Sequence, residues 1–237
     1  MRYNASYSAT SFRCAIAVAL ALSSGFATHL IAQESPLSGF RSYVEQAVSD
    51  WHVPGLAVVV VKDGEVAFSE GFGERQLGES AGVSSGTLFA IGSTTKAMTA
   101  AAIGMLVDEG KMIWDDPVTK HLPDFQLHDP YVTREITIRD LLTHRAGLGN
   151  ADFLWYEREA SIDDILFRMR YAEPAYSMRS GFIYQNIMYA AAGEVISRVS
   201  GMPWAEFIQA RILDPLGMTA SIPTAATLNS QECIRTD

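Results

Sequence analysis

The sequence predicts a mixed α/β (α+β) domain that is largely helical and contains one small antiparallel sheet. The first observation is a β-hairpin signal, in which two apolar segments, residues 56–61 and 66–72, flank the turn sequence Lys62-Asp63-Gly64-Glu65. The second is that most of the chain from residue 93 to residue 213 places apolar residues at helical spacing. Because an isolated hairpin is only marginally stable, we expect the sheet encoded by these residues to be incomplete.

Each predicted helix has a recognisable start or end. Thr137 and Ser161 are good N-caps, Pro203 suits a first helical position, and Gly110 and Gly201 are typical of C-termini. The predicted helices are residues 38–52, 93–109, two that follow Thr137 and Ser161, 185–200 and 203–213. The segment 112–125 holds two prolines and is predicted as loop with short turns. Since residues 56–61 are apolar throughout, we expect the hairpin to be buried on both faces.

Composition excludes some classes of protein. Of the 237 residues, 48% are hydrophobic, so the chain can build a sizeable core and is not of the disordered type. The formal net charge is −9, whereas binding nucleic acid calls for a basic surface. We therefore expect no nucleic acid partner.

The N-terminus has the pattern of a secretory signal peptide. Arg2 and Arg13 precede a short apolar run, residues 14–22, and small residues follow. We interpret residues 1–32 as a signal peptide cleaved somewhere between 27 and 33, the alternative being a buried or membrane-anchoring helix. The mature protein would be exported, periplasmic or secreted, with no stable membrane span. Loss of Cys14 would leave Cys233 alone, so no internal disulfide is expected.

The tetrapeptide Ser93-Thr94-Thr95-Lys96 is the only Ser-x-x-Lys in the chain. Residues three apart share one face of a helix, so Lys96 can reach the Ser93 hydroxyl. A cation there would ease removal of the serine proton and make Ser93 a nucleophile. The alternative is that Ser93 only caps an ordinary apolar helix.

A second polar pair, Tyr184 and Asn186, lies at the mouth of the helix predicted at 185–200 and is the only Tyr-x-Asn in the chain. Taken alone, Tyr184 would be a half-buried aromatic and Asn186 a cap. A serine nucleophile, however, needs a base and a second polar group directed at the same point. We therefore predict that the two motifs meet in one site.

With these motifs the chain resembles the β-lactamase-related serine hydrolases, which include class C β-lactamases, DD-peptidases, D-aminopeptidases and esterases of the same fold. The resemblance extends over residues 38–218 and also rests on the stretches "VPGLAVVVVKDGEVAFSEGFGE", "ITIRDLLTHRAGL" and "YQNIMYAAAGEVISRVSGMPWAEFIQARILDPLGM". It implies a β-lactamase/transpeptidase-like fold and acyl transfer through a covalent ester, with no cofactor or metal.

The resemblance also implies a role for each motif residue. Ser93 would be the nucleophile, and Lys96 or Tyr184 the base, with Tyr184 passing protons to the leaving group. Asn186 would donate a hydrogen bond to the acyl side-chain amide of the substrate or to Lys96. His144, in "LLTHRAGL", is expected to be a hydrogen-bonded packing residue, which argues against a Ser-His-Asp triad.

One family feature is missing from these residues. The resemblance implies a third motif, Lys- or His-x-Gly, on a strand that supplies one oxyanion-hole N–H, yet no lysine follows Lys120 and no histidine follows His144. We therefore interpret residues 38–218 as a catalytic domain without its C-terminal strands, and 219–237 as an unpatterned tail. A degenerate enzyme and a site completed by another chain are the alternatives.

Two functions of different classes follow from the sequence. The first is a serine hydrolase that acts on a small-molecule or short-peptide acyl substrate, whether ester, amide or β-lactam. The second is a catalytically dead protein that binds peptidoglycan-like peptides or β-lactams in the same cleft. Nothing in the sequence indicates the oligomeric state.

Overall fold

The structure, a computed structural model, describes residues 37–155 and 160–224. The chain divides into two compact units, residues 1–47 and 48–237. The predicted signal peptide and Cys233 lie outside the described residues, as does the predicted tail from residue 225 onward. Among the helices that are described, none is both long and apolar enough to cross a lipid bilayer.

Helices dominate the described residues, as predicted. The strands are β1 (Gly55–Lys62) and β2 (Glu65–Gly73), and the helices are α1 (Phe40–Asp50), α2 (Thr95–Asp108), α3 (Val118–His121), α4 (Pro130–Glu135), α5 (Ile138–Leu142), α6 (Ile162–Met169), α7 (Ile187–Ser200) and α8 (Trp204–Ile208). Two 3₁₀ turns, Gly92–Thr94 and Asp152–Leu154, and a π-helical turn, Gln209–Leu213, complete the regular structure of this part of the chain.

Strands β1 and β2 form the predicted antiparallel hairpin. Asp63 and Gly64 both have positive φ, at 55° and 82°, which is the backbone of the tight turn that Asp-Gly favours between twisted strands. The register shifts by one residue between Val60 and Val61. The Asp-Gly sequence was therefore sufficient to predict where the hairpin turns.

The prediction that the hairpin is buried on both faces is wrong. Val59, Val61 and Val66 are 61%, 61% and 63% exposed. Val58 and Val60, which alternate with Val59 and Val61 along β1, are half-buried. Successive side chains in a strand point to opposite faces, so one face of the hairpin is packed and the other is open within the described structure. An unbroken apolar run does not reveal which face is covered.

The core of the second unit is built on α2 and α7, which pack against each other, with α5 and α8 packed on α7. The apolar residues of these helices are fully buried where they face one another, and among them are Ala102, Ile103, Leu106, Ile138, Leu141, Met188, Ala191, Val195 and Phe207. Small side chains such as Ala102 and Ala191 let helix backbones approach closely. The packing of α2 on α7 positions the residues that begin each helix.

Two predicted caps are present. The Thr137 side chain accepts from the backbone N–H of Asp140, and the Asp140 side chain accepts from the backbone N–H of Thr137, which is a capping box. Ser161 accepts from the backbone N–H of Asp164 at the start of α6. Gly201 ends α7 in the left-handed conformation, with φ of 76°.

Other helix boundaries differ from prediction. Ser93 does not cap α2, because it lies within the 3₁₀ turn Gly92–Thr94 that leads into the helix. Helix α7 begins at Ile187, two residues later than predicted, and Pro203 precedes α8 as its N-cap residue. Polar residues at a helix start carry little information on the exact first turn.

Asp116 is a buried carboxylate that ties together the connection after α2. Its oxygens accept hydrogen bonds from Lys120 Nζ at 2.7 Å, from the backbone N–H of Ile113 at 3.1 Å and from His121 Nε2 at 2.9 Å. Burial raises the pKa of Asp116, but these hydrogen bonds outweigh it and lower the pKa to about 2. Asp116 therefore has a structural role.

We expect Asp116→Asn to lower the free energy of unfolding by about 1–3 kcal/mol at pH 7, because it removes charge-assisted hydrogen bonds from a buried site. The pKa of an unfolded aspartate is about 3.9, and the folded value is lower. The stabilisation is thus fully present above about pH 4 and is lost as the pH falls toward 2. Urea denaturation at pH 7, 4 and 2.5 gives the free energy of unfolding, and the values for the parent and the variant should become closer as the pH falls. The control is Asp115→Asn, at an exposed neighbour, which should lower the free energy of unfolding less at pH 7. A constant difference at all three pH values would contradict this account.

Candidate active site

The site begins with Ser93, in the 3₁₀ turn that precedes α2. Gly92, with φ of 50°, lets the chain turn into this segment. Lys96 lies in the first turn of α2, and its Nζ donates to Ser93 Oγ at 3.1 Å. The Ser-x-x-Lys spacing therefore brings the two functional atoms into contact.

Tyr184 arrives from the segment just before α7. Its hydroxyl donates to Ser93 Oγ at 2.5 Å, and Lys96 Nζ lies 4.7 Å from the centre of its ring. Ser93 Oγ thus accepts hydrogen bonds from both Lys96 and Tyr184. Two donors directed at one oxygen stabilise negative charge on that atom.

Asn186 holds Lys96 from the other side. Its Oδ1 accepts from Lys96 Nζ at 2.7 Å, and its Nδ2 donates to Asp152 Oδ2 at 3.1 Å. The expectation that Asn186 donates to Lys96 is wrong, because an ammonium is a donor only and the amide oxygen must face it. A carboxylate is an acceptor only, so Asp152 fixes the orientation of the Asn186 amide.

Asp152 and Trp155 are site residues that sequence reasoning missed. Asp152 lies in the 3₁₀ turn Asp152–Leu154, and its second oxygen accepts from Trp155 Nε1 at 3.2 Å. The turn is set by Asn150, whose side chain accepts from the backbone N–H of Asp152 at 3.0 Å. An Asn-x-Asp turn is a weak signal, because it does not say which distant residue the aspartate contacts.

His144 lies next to Tyr184 and forms no hydrogen bond with Ser93 in the described structure. Its Nδ1 accepts from the backbone N–H of Gln185 at 3.1 Å, and its ring lies 4.7 Å from that of Tyr184 and 5.4 Å from that of Tyr189. Burial, with a smaller contribution from the charge of Lys96, lowers the pKa of His144. A neutral ring with Nδ1 as acceptor agrees with its expected packing role.

The two tyrosines of the site differ in acidity. The pKa of Tyr184 is lowered, chiefly by Lys96 and then by the hydrogen bond to Ser93, while burial and the charge of Asp152 act in the opposite direction. The pKa of Tyr189 is raised by burial. Of the two tyrosines, Tyr184 is therefore the one that loses its proton more readily.

A cavity of about 710 Å³ opens beside Ser93 and Lys96. Helix α7 forms one wall, and Trp155, Ile162 and Trp204 contribute large apolar side chains. This volume lies within the range of small-molecule sites in proteins. The reactive atoms are thus at the edge of a space that can hold a substrate.

The chain is similar to proteins of one known family. Residues 40–222 match the family described as Beta-lactamase. The unguisins hydrolase ungD of Aspergillus violaceofuscus is 37% identical over 195 residues, which cover 78% of this chain and 34% of that protein. The chain therefore spans about a third of the length of this curated relative.

Solved structures share the fold. The octameric penicillin-binding protein homologue from Pyrococcus abyssi superposes with a TM-score of 0.67 at 30% identity, covering 78% of this chain and 44% of that one. The D-amino acid amidase from Ochrobactrum anthropi gives a TM-score of 0.72 at 24% identity, covering 85% and 57%, and at that identity it shows the fold alone. The fold is thus β-lactamase/transpeptidase-like, and the chain belongs to the β-lactamase family.

Proposed function

We propose that this protein is a serine hydrolase that acts by acyl-enzyme chemistry on an ester, amide or β-lactam. The observation that carries the proposal is the convergence of Lys96 Nζ and Tyr184 Oη on Ser93 Oγ, at 3.1 and 2.5 Å. A serine that is only structural has no need of two such donors beside an open cavity. The family match and the hydrolase relative support the same reaction class.

In the proposed mechanism, Ser93 Oγ attacks the substrate carbonyl carbon and its proton passes to Lys96 or Tyr184. The bond between the carbonyl carbon and the leaving group then breaks, and Tyr184 returns a proton to the leaving atom. Water attacks the resulting ester, which releases the acid and regenerates the Ser93 hydroxyl. The first proton transfer, from Ser93 to Lys96 or Tyr184, spans the 3.1 and 2.5 Å distances given above.

Either neighbour can serve as base once it has lost its own proton. Lys96, and then the hydrogen bond to Ser93, lower the pKa of Tyr184 and so reduce the cost of removing its proton. A neutral Lys96 would accept the proton directly across 3.1 Å. In both routes Asn186 and Asp152 hold the Lys96 side chain in reach of Ser93.

The proposal extends to the location of the protein, which we infer to be exported. Export is supported by the basic start and short apolar run within residues 1–32. One relative is named as an unguisins hydrolase, which agrees with a hydrolytic reaction.

Covalent labelling tests the proposal directly. A fluorophosphonate probe forms a bond from Ser93 Oγ to phosphorus with loss of fluoride, so the expected result is one adduct on the peptide that contains Ser93. The same chain unfolded in urea should not react, because labelling requires the assembled site. Absence of an adduct on a chain that circular dichroism shows to be folded would contradict the proposal and favour a non-catalytic binder.

Asp152 gives a further prediction. We expect Asp152→Ala to slow labelling about 10-fold, because the Asn186 amide loses the acceptor that orients it and Lys96 loses its fixed position. Asp152 also raises the pKa of Tyr184 through its charge. Its removal leaves that pKa lower, so the acid limb of the pH–rate profile should move to lower pH.

The matched control is Asp163→Ala, an exposed aspartate in the first turn of α6. It changes the net charge equally without touching the site, so its profile should equal that of the parent. An Asp152→Ala profile that falls in rate without moving along the pH axis would show a purely structural role for this carboxylate.

A further inference from the structure

We propose that the cavity beside Ser93, called here the acyl pocket, binds an unsubstituted apolar acyl group of the substrate. The inference rests on the proposed function and narrows its substrate class to compounds whose acyl part is hydrocarbon. Two observations support it. Many of the polar atoms that line the pocket already have hydrogen-bond partners within the protein, and the remaining surface of the pocket is mostly carbon.

Several hydrogen-bonding groups that line the pocket have partners within the protein. Trp204 Nε1 donates to Thr99 Oγ1 at 3.2 Å, and Thr99 is itself only 4% exposed. Ser197 Oγ donates to the backbone carbonyl of Gly193 at 3.1 Å, one turn back along α7. A ligand reaching this depth therefore meets polar atoms that already have partners.

The same holds nearer the reactive serine. Tyr189 Oη donates to the carbonyl of Leu142 at 3.0 Å, and Trp155 Nε1 donates to Asp152. The Asn186 amide is engaged at both ends, with Lys96 on its oxygen and Asp152 on its nitrogen. The carboxylate of Glu194, at the pocket wall, accepts from Arg198 Nε at 3.0 Å.

The walls of the acyl pocket expose mainly carbon atoms to a ligand. The indole groups of Trp155 and Trp204, the side chain of Ile162 and the ring of Pro203 surround a floor where α7 carries Ala190 and Gly193. Small residues on that helix face leave room for the ligand, and the large apolar groups supply contact. A buried amide or charge in such a place would lose its hydrogen bonds to water without replacement.

The pocket is continuous with the nucleophile, since Ser93 and Lys96 lie on its wall. The carbonyl carbon that Ser93 attacks carries two groups, the hydrocarbon part of the acyl group and the leaving group, and only the first stays attached to the enzyme after acylation. We therefore assign the pocket to this group, whose hydrocarbon chain would leave water on acylation.

A series of p-nitrophenyl esters tests the assignment, because the leaving group is constant and only the acyl chain changes. Full burial of each methylene corresponds to about a 4-fold gain in the second-order rate constant of acylation, measured at low ester concentration. Since the pocket is open on one side, we expect hexanoate to acylate Ser93 at least about 10-fold faster than acetate. Release of p-nitrophenol and the mass of the adduct give the rate and the site.

An ester of N-acetylglycine separates polarity from length, as its acyl group is about as long as pentanoyl but contains an amide. After each rate is divided by that of spontaneous hydrolysis, we expect the N-acetylglycyl ester to react at least about 5-fold more slowly than the pentanoyl ester. A faster N-acetylglycyl ester would overturn the proposed apolar class.

Two variants connect the selectivity to the pocket. Ala190→Leu fills the floor and should lower the ratio of hexanoate to acetate rates toward one. Gly193→Ala has a smaller effect in the same direction and favours helix formation, so it keeps the test valid if the leucine variant does not fold. The control is Ala101→Leu, an exposed position on α2, which should leave the ratio unchanged.

The outcomes are distinct. A flat chain-length series, together with fluorophosphonate labelling of Ser93, would overturn the acyl pocket and leave the proposed hydrolase activity standing. A preference for hexanoate that Ala190→Leu and Gly193→Ala do not alter would place the acyl group elsewhere. No acylation by any ester and no labelling by the probe would overturn both proposals.

Discussion

Replacing Ser93 with alanine is expected to reduce acylation by p-nitrophenyl hexanoate by about 10³-fold or more and to abolish fluorophosphonate labelling. The reason is that Ser93 Oγ is the atom on which Lys96 and Tyr184 converge, at 3.1 and 2.5 Å, and alanine offers no atom to bond the acyl carbon. The measurement is the burst of p-nitrophenol together with the intact mass of the protein.

The neighbouring Thr94 provides the matched control. Its hydroxyl donates to the carbonyl of Ile91 at 2.6 Å, so it is a similar hydroxyl group, one residue away, with a different partner. Thr94→Ala should label at Ser93 at close to the parent rate. Labelling of Ser93→Ala at any single other residue, at the parent rate, would show that another nucleophile performs the reaction.

Replacing Lys96 with arginine is the second change with a large expected effect, a loss of about 10²–10⁴-fold in the acylation rate. Arginine keeps the positive charge but stays protonated, so it cannot accept the Ser93 proton. Its planar, wider head group also does not fit the position in which Lys96 Nζ contacts both Ser93 Oγ and Asn186 Oδ1. Stopped-flow measurement with the hexanoyl ester gives the rate.

A lysine on an exposed helix face would tolerate the same change within about 0.5 kcal/mol of stability and without loss of activity. Lys111→Arg is the control for this alternative, because Lys111 forms only an exposed ion pair with Glu109. If Lys96→Arg acylates at the parent rate, Lys96 has no part in proton transfer, and Ser93 would need another base.

Local patterns were sufficient to predict the four residues that meet at the site. Ser93 and Lys96 are one helical turn apart, and Tyr184 and Asn186 are fixed by the start of α7, so spacing determines each pair. That the pairs meet depends on α2 packing against α7; the sequence predicted the meeting only from the chemical needs of a serine nucleophile and from the family resemblance. Their chemical roles remain predictions.

The features that could not be predicted are those decided by packing between distant segments. Asp152 lies 34 residues before Asn186, and no periodicity links the two. The exposure of Val59 and Val61 on one face of the hairpin could not be predicted, because an apolar run does not indicate which of its two faces is buried. Helix α4 was not predicted, since its six residues, Pro130–Glu135, are too few to show a periodic pattern.

The contact between Lys96 and Asn186 joins residues 90 positions apart in the chain. A loop of that length must close before the bond can form, which places it among the late and entropically costly events of folding. A helix α2 that has formed but not yet docked on α7 therefore carries an inert serine. Such a chain lacks the hydrogen bond from Tyr184 to Ser93 Oγ, so we expect Ser93 to acquire its proposed reactivity when α7 docks on α2.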